Sequence, residues 1–547
     1  MVIRGRAARA LVAVAVLSAA AACGGDDGSG GTAGSGSGGG GEPAEAAAPA
    51  GGQCTEEDVG GSLTVGTYSE PPSLDPIVAS GAGVAGGMEM AALYDTLMRY
   101  DPESGEYEPH LAESLEPNDD HSEWTLTLRE GIAFPDGTPL DAEAVRANME
   151  RQASEQNVTP SRGDLANVAE ITVVDTRTVR FTLTGPWATF PYMLADKPGM
   201  IVNPGAVEAA GDDFGTAVPP EAGVGPYQLE RFAPGEEIVM RARDDYWDGP
   251  VCIEQLRFVT LAGAQATYEA MQTGEVQVGF LRQAQTIAQA KEDGVAGFSN
   301  YMNNGQILLV NQRGAGGAEA PAADVRVRQA IAAAIDPQVI NERAYEGTGL
   351  SGTAIIGERS RLDPGVDGPR PDPDRAADLL AEVTDETGWD GSLDLLCQDD
   401  PINEEVCITI EAQLEAVGFD ISTETGTVTD VIRQVTVDRD YDLATWGTPT
   451  ADEGAWRGLA QFRSDASSNR VGYADPDMDA ALDELKAAAT VEEQNAALAE
   501  IQEIWNETVP SVSLATVEEF VAVSDEVAGV QMTAQTVALF DEAHLTG

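Results

Sequence analysis

Lysine is almost missing from this chain of 547 residues: there are three, Lys197, Lys291 and Lys486. Histidine is as scarce, with His110, His121 and His544 far apart in sequence. Against 31 Lys and Arg stand 92 Asp and Glu, for a formal net charge of -61. So acidic a surface repels phosphate backbones, which argues against a nucleic-acid partner. The acids are spread along the chain rather than gathered in one run, so the charge reads as a solvated surface that stays soluble at high salt, in preference to a field that collects cations. Enzyme motifs are missing too: there is no H-E-x-x-H, no G-x-S-x-G and no G-x-x-x-x-G-K-[ST]. Paired carboxylates carry no information among so many acids. No C-x-x-C spacing supports a zinc site, and neither a metal nor a cofactor is expected.

What is present begins with a segment to be removed. Arg4, Arg6 and Arg9 precede an apolar run at 11–17 and a string of small residues ending at Cys23, the pattern of an export signal over 1–22. Residues 23–27, C-G-G-D-D, resemble the start of mature bacterial lipoproteins, which makes Cys23 the expected site of acylation. Residues 24–53 are Gly, Ser, Ala, Pro and acids with no apolar period, a flexible tether with a reach of roughly 30 Å. No later segment has 18 consecutive apolar residues, so none is expected to cross a bilayer. The other four cysteines, Cys54, Cys252, Cys397 and Cys407, are an even number in an exported chain. Three connectivities are open, and the expected one pairs Cys54 with Cys252 and Cys397 with Cys407.

A chain of this length with 42% hydrophobic residues has core enough for two or three domains. Periodicity predicts a strand at 62–67, helices at 87–99 and 141–152, and a β-hairpin at 227–242 turning on Pro234, Gly235 and Glu236. A helix at 262–273, a strand at 276–281, a strand at 306–311 and a helix at 324–336 follow. Strands and helices then alternate through 373–386, 392–397, 401–417, 419–424, 428–437 and 441–446, which implies βα units and a mainly parallel sheet. A helix at 491–508 leads back to strands near 511–531. G-A-G-V-A-G at 81–86 matches a dinucleotide fingerprint only formally, because a proline-rich loop precedes it instead of a strand. Asp475, Asp477 and Asp479 read as a helix start rather than a calcium loop, since Ala480 occupies the place of the required glycine.

Several longer blocks are more specific. They are V-G-P-Y-Q-L-E-R-F-A-P-G ending in D-D-Y-W-D-G (224–249), E-P-P-S-L-D-P (70–76), the block 111–151 with P-D-G-T-P-L, G-E-V-Q-V-G-F (274–280) and D-V-R-V-R-Q-A-I (324–331). In this order, over roughly 63–530, the chain resembles the family-5 extracellular solute-binding proteins, receptors of ATP-driven importers for peptides, nickel and related solutes. The resemblance implies an α/β fold, two-lobed and periplasmic-binding-protein-like (type II), with an extra subdomain in the first lobe. The expected partition is 54–99, 221–304 and 510–547 for the first lobe, 100–220 for the inserted subdomain and 305–509 for the second lobe, with a hinge strand at 301–305.

The same resemblance implies a receptor lipoprotein and not an enzyme. It would sit on the extracytoplasmic face of the cell membrane as a monomer, delivering a peptide to permease and ATPase subunits. An oligosaccharide or another organic solute is the alternative, and a secreted hydrolase or passive adhesin the rival of another class. Nickel fits poorly with three histidines. The loop after the first strand supplies Tyr68 and Glu70 at the cleft mouth. In peptide-binding relatives a W-G-x-D type segment supplies a carboxylate for the free amine; here Thr448 falls at the expected tryptophan and Ala451 at the expected aspartate. Asp452 follows one residue later, and Trp446 and Trp456 flank the loop. The candidate ligand-binding residues are therefore Tyr68, Glu70, Trp446, Thr448, Asp452 and Trp456.

Overall fold

The computed structural model describes residues 46–154, 161–313 and 320–546. The export signal, Cys23 and the first part of the tether lie outside the described residues. Among the described residues no helix is long and apolar enough to cross a membrane.

One twisted sheet runs through the molecule. Its main strands in chain order are β1 (Ser62–Thr67), β2 (Tyr227–Ala233), β3 (Glu237–Ala242), β4 (Gln255–Thr260), β5 (Val278–Leu281), β6 (Ala296–Val310), β7 (Ser392–Gln398), β8 (Asp420–Gly426), β9 (Leu443–Trp446) and β10 (Ser511–Val523). Across the sheet they lie β8-β7-β9-β6-β10-β5-β1-β4-β3-β2. β1 is parallel to β4 and β5, and β7 is parallel to β8 and β9. β1, β5 and β9 are buried almost throughout, as central strands under helices must be, whereas the edge strand β8 keeps only Ile421 buried. The hairpin β2–β3 pairs Phe232 with Ile238 and Tyr227 with Ala242, with a bulge between Leu229 and Arg231.

The long antiparallel strands β6 and β10 join the two halves. They pair from Ala296 with Val523 to Met302 with Val517, lose register, and pair again from Gln306 with Ala515 to Leu309 with Ser511. At the break Asn304 adopts φ 51°, and a Cβ on Gly305 would stand 2.7 Å from the Met302 carbonyl. Beyond it lies a separate core of Leu308, Val310, Ile331, Leu395, Ile410 and Leu443. The core before it holds Leu63, Val65, Met240, Phe258, Phe280 and Val521. One sheet therefore carries two separate cores, and the pairing of its long strands breaks between them at 303–305.

A smaller, separate antiparallel sheet falls within 100–220, in the order Ala112–Pro117, Glu123–Leu128, Thr178–Leu183, Val168–Val173. The helix Ala142–Ala153 covers it, opened by the Asp141 carboxylate accepting from the Ala144 N–H. Both expected disulfides are present, Cys54–Cys252 and Cys397–Cys407.

The predicted helix at 87–99 is too long. It ends at Tyr94, because Asp95 turns left-handed at φ 56° and Met98–Asp101 pairs as a strand with Glu106–Pro109. Asp95 is also where the D-Y-W motif acts. Its buried carboxylate accepts from the Tyr246 hydroxyl at 2.9 Å and the Trp247 indole at 3.1 Å, and meets Arg99 at 3.1 Å and His110 Nε2 at 3.0 Å. The aromatic pair of this cluster thus clamps the end of the first helix.

Glu89, in the first turn of that helix, has the opposite environment. It is 1% exposed, and neither carboxylate oxygen has a hydrogen-bond partner among the described residues. Burial pushes its carboxyl up to about 7, which the N–H groups of the helix start only partly offset. A folded pKa above the unfolded one means that the folded state holds more protons between pH 4.5 and 7, so stability falls as pH rises through that window. A Glu89→Gln variant is expected to be more stable than the parent at pH 8 by about 2–3 kcal/mol, with the gap closing near pH 4.5. Denaturant melts at the two pH values check it.

Candidate functional site

In open parallel sheets the strand ends at the carboxyl side present backbone and side chains to a crevice. Here both lobes aim those ends at one cleft of about 690 Å³. From the first lobe come Tyr68 after β1, Gly263 after β4 and Arg282 after β5; from the second come Gln398 and Asp400 after β7, Val428 after β8 and Gly447 after β9. The hinge strands close the back with Gly305, Gln306 and residues 514–518. Three helices begin at the cleft: Ala264–Gln272, Ala284–Glu292 and Pro401–Ala416. The first two have no side-chain cap, so their first-turn N–H groups are directed at whatever enters.

The charges in this cleft are few and placed apart. Arg282 lies 3.4 Å from buried Glu519 and stands over the Tyr68 ring at 6.0 Å. Burial pushes the Glu519 carboxyl up, against the pull of Arg282, and Thr536 donates to its other oxygen. Glu518 on β10 accepts from Lys291. Asp400 caps the third helix through the Asn403 N–H and also accepts from its side-chain amide. A basic group stands on the first-lobe wall, and carboxylates stand on the hinge and the second-lobe wall. Tyr68 and Trp446 add half-open aromatic surface, with Arg470 over the Trp446 ring at 5.5 Å.

Of the six residues singled out from sequence, Tyr68 and Trp446 line this cleft. The other four are placed elsewhere. Glu70 accepts from the Gly235 N–H in the β2–β3 turn. Thr448 is buried against the hinge, its N–H donating to the Asn304 carbonyl at 3.0 Å. Trp456 is buried on Trp187, with ring centres 5.2 Å apart. Asp452 has both oxygens engaged, by the Ser360 hydroxyl and by the Arg361 N–H at 2.8 Å. Next to it Glu453, buried and raised to about 7 chiefly by that burial, accepts from the Gln535 N–H at 2.7 Å, and its carbonyl accepts from Tyr107. This loop therefore ties together segments far apart in sequence, at Tyr107, Ser360, Arg361 and Gln535. Arg282, Asp400, Glu518 and Gln306 were missed from sequence. The first two stand directly after predicted strands, and that position is the signal that could have found them.

Residues 106–470 match the bacterial extracellular solute-binding proteins, family 5. The glutathione-binding protein GsiB of Salmonella paratyphi A is 28% identical over 287 residues, 52% of this chain and 54% of that protein; the chain thus spans about half the length of the curated relatives it matches. Among solved structures, the oligopeptide-binding protein AppA of Bacillus subtilis, in complex with a nonapeptide, superposes with a TM-score of 0.73 at 18% identity, covering 90% of this chain and 100% of AppA. DppA of Helicobacter pylori with the peptide STSA gives 0.73 at 20%, covering 90% and 99%. AgaA of A. tumefaciens R10 with agropinic acid gives 0.72 at 22%, covering 89% and 99%.

Proposed function

More than half of this chain lies within that match, so it belongs to the family 5 bacterial extracellular solute-binding proteins, receptors of importers and not enzymes, and we propose that its solute is a short peptide or peptide-like zwitterion. The observation that carries this reading is the separation of charge across the cleft. Arg282 and two uncapped helix starts suit a carboxylate, while Asp400 and Glu518 on the other walls suit an amine. Tyr68 and Trp446 supply apolar area for side chains between them. The peptide-bound relatives and the glutathione-binding ones support the same class.

In this reading the lobes are 54–99, 221–304 and 510–547 against 305–509, with 100–220 inserted, and closure over the solute is the signal to the permease. Acylation at Cys23 holds the receptor, a monomer, on the outer face of the membrane beside permease and ATPase subunits; the expected tether of 24–53 is shortened at its end, because the Ala47 and Ala50 carbonyls accept from Gly297 and Gly529 of the folded body. A second reading, an organic solute without a free amine, is favoured by one observation: Asp452, tied to Ser360 and Arg361, does not line the cleft and offers no carboxylate to an amine there. AgaA, bound to agropinic acid, shares the fold.

Native mass spectrometry of tether-free protein purified gently from its host, followed by a thermal shift with the species found, separates the two. A retained peptide that raises the midpoint supports the first reading; a retained sugar or amine-free acid overturns it. Trp446→Ala is expected to weaken binding of that solute about tenfold or more by calorimetry, through lost ring area, with the unliganded fold unchanged by circular dichroism.

A further inference from the structure

A second cavity, of about 1380 Å³, lies between the inserted subdomain and the second lobe, away from the strand ends that form the solute cleft. Five of the chain's 31 basic residues line it, Arg162, Arg457, Arg463, Arg470 and Lys486, beside the four carboxylates of Asp164, Asp465, Asp483 and Glu484. In a protein of net charge -61 a cation normally finds a carboxylate, and here Arg457 and Arg463 do. Arg457 meets Asp164 at 2.8 Å, and Arg463 meets Asp465 and Asp483.

Arg470 and Lys486 do not. Among the described residues neither has a carboxylate within ion-pair distance. Arg470 donates to the Gln461 side chain and the Ser468 carbonyl, and Lys486 donates to the Asn167 side chain at 2.6 Å. Lys486 is 8% exposed, its ammonium between the Trp456 ring at 4.7 Å and the Trp187 ring at 5.3 Å. Burial pushes its pKa below the usual lysine range; the attraction of Asp483, already engaged by Arg463, offsets this in part. Independently, the Trp456 indole N–H is buried on the same cavity with no acceptor among the described residues, although the side chain is 7% exposed. A buried donor left alone costs free energy that an acceptor would recover.

We propose that this cavity is a second ligand site, for a small oxyanion of more than one negative charge, carboxylate or phosphate, held by Lys486, Arg470 and the Trp456 indole. Its walls are 162–167 and 184–186 on one side and 456–487 on the other, so an occupant bridges the inserted subdomain and the second lobe and favours their contact. Arg470 also stands over the Trp446 ring of the main cleft, so Lys486 and Trp456 are the residues that belong to this cavity alone.

The test uses citrate and inorganic phosphate as probes, with sodium chloride at matched ionic strength as control, in calorimetry and indole fluorescence on the mature protein. Saturable binding of either probe is expected, and which one binds tells carboxylate from phosphate. Lys486→Gln should weaken it at least tenfold, the Lys486→Gln/Arg470→Gln pair should abolish it, and Lys486→Arg should retain it, which separates lost charge from lost folding. Trp456→Phe should weaken binding by several-fold. Absence of saturable binding in the parent protein, an effect that follows ionic strength alone, or unchanged affinity in the folded double variant overturns the proposal.

Discussion

Replacing Cys54 and Cys252 together by alanine is expected to lower the unfolding free energy of the first lobe by about 5 kcal/mol, whereas the same change at Cys397 and Cys407 should cost about 3 kcal/mol. The difference follows from chain entropy. The first bridge closes a loop with a sequence separation of 198 and the second one of 10, and the longer loop forbids more of the unfolded ensemble. The first bridge also fastens the segment that enters the folded body. Beside it Gly60 donates to the Cys252 carbonyl, and further back the Ala47 and Ala50 carbonyls accept from Gly297 and Gly529. Guanidinium melts of the two double variants, followed by a first-lobe signal, give the comparison. Equal losses from the two pairs would contradict the loop argument.

Asp95→Ala should cost about 3–5 kcal/mol, because it strands buried partners rather than removing a surface pair. Three donors converge on that carboxylate, from Arg99, Tyr246 and Trp247, with His110 Nε2 at ion-pair distance; Arg99 keeps Asp541, and the two aromatic donors lose their acceptor. Asp95→Asn keeps the shape and should cost less. Burial raises the Asp95 pKa, but His110, Arg99 and the Tyr246 hydroxyl outweigh it and hold the carboxyl at about 2. A depressed folded pKa contributes stability that is complete above pH 4 and is lost as pH falls towards 2, by about 2–3 kcal/mol. The variants should lose that part of the acid dependence, which melts at pH 2.5 and pH 6 would show.

Much of this architecture was legible because its strands are short, apolar and punctuated. The hairpin at 227–242 and the alternation from 373 onwards carry their periods openly, whereas the hinge at 301–305 was implied only by the family resemblance. The overlong helix at 87–99 shows where periodicity misleads. Leu93 and Leu97 keep helical spacing across Asp95, and only its buried partners, brought from residues 110 and 246–247, stop the helix there. The site divides along the same line. Tyr68 and Trp446 follow visible strands and stand in the cleft, whereas Glu518 enters it only through the register of β10 against β6. Asp452 looked like a ligand for an amine because spacing cannot show Ser360 and Arg361, about ninety residues earlier, taking both its oxygens.

Small-angle X-ray scattering of the tether-free protein, with and without the solute found on the purified material, tests the central claim most directly. Two lobes on one shared sheet, opening at 303–305, should give a smaller radius of gyration on saturation, with Trp446→Ala requiring more solute to reach the same curve. An unchanged scattering curve at saturation, with the solute demonstrably bound, would contradict a receptor that signals by closing over its cargo.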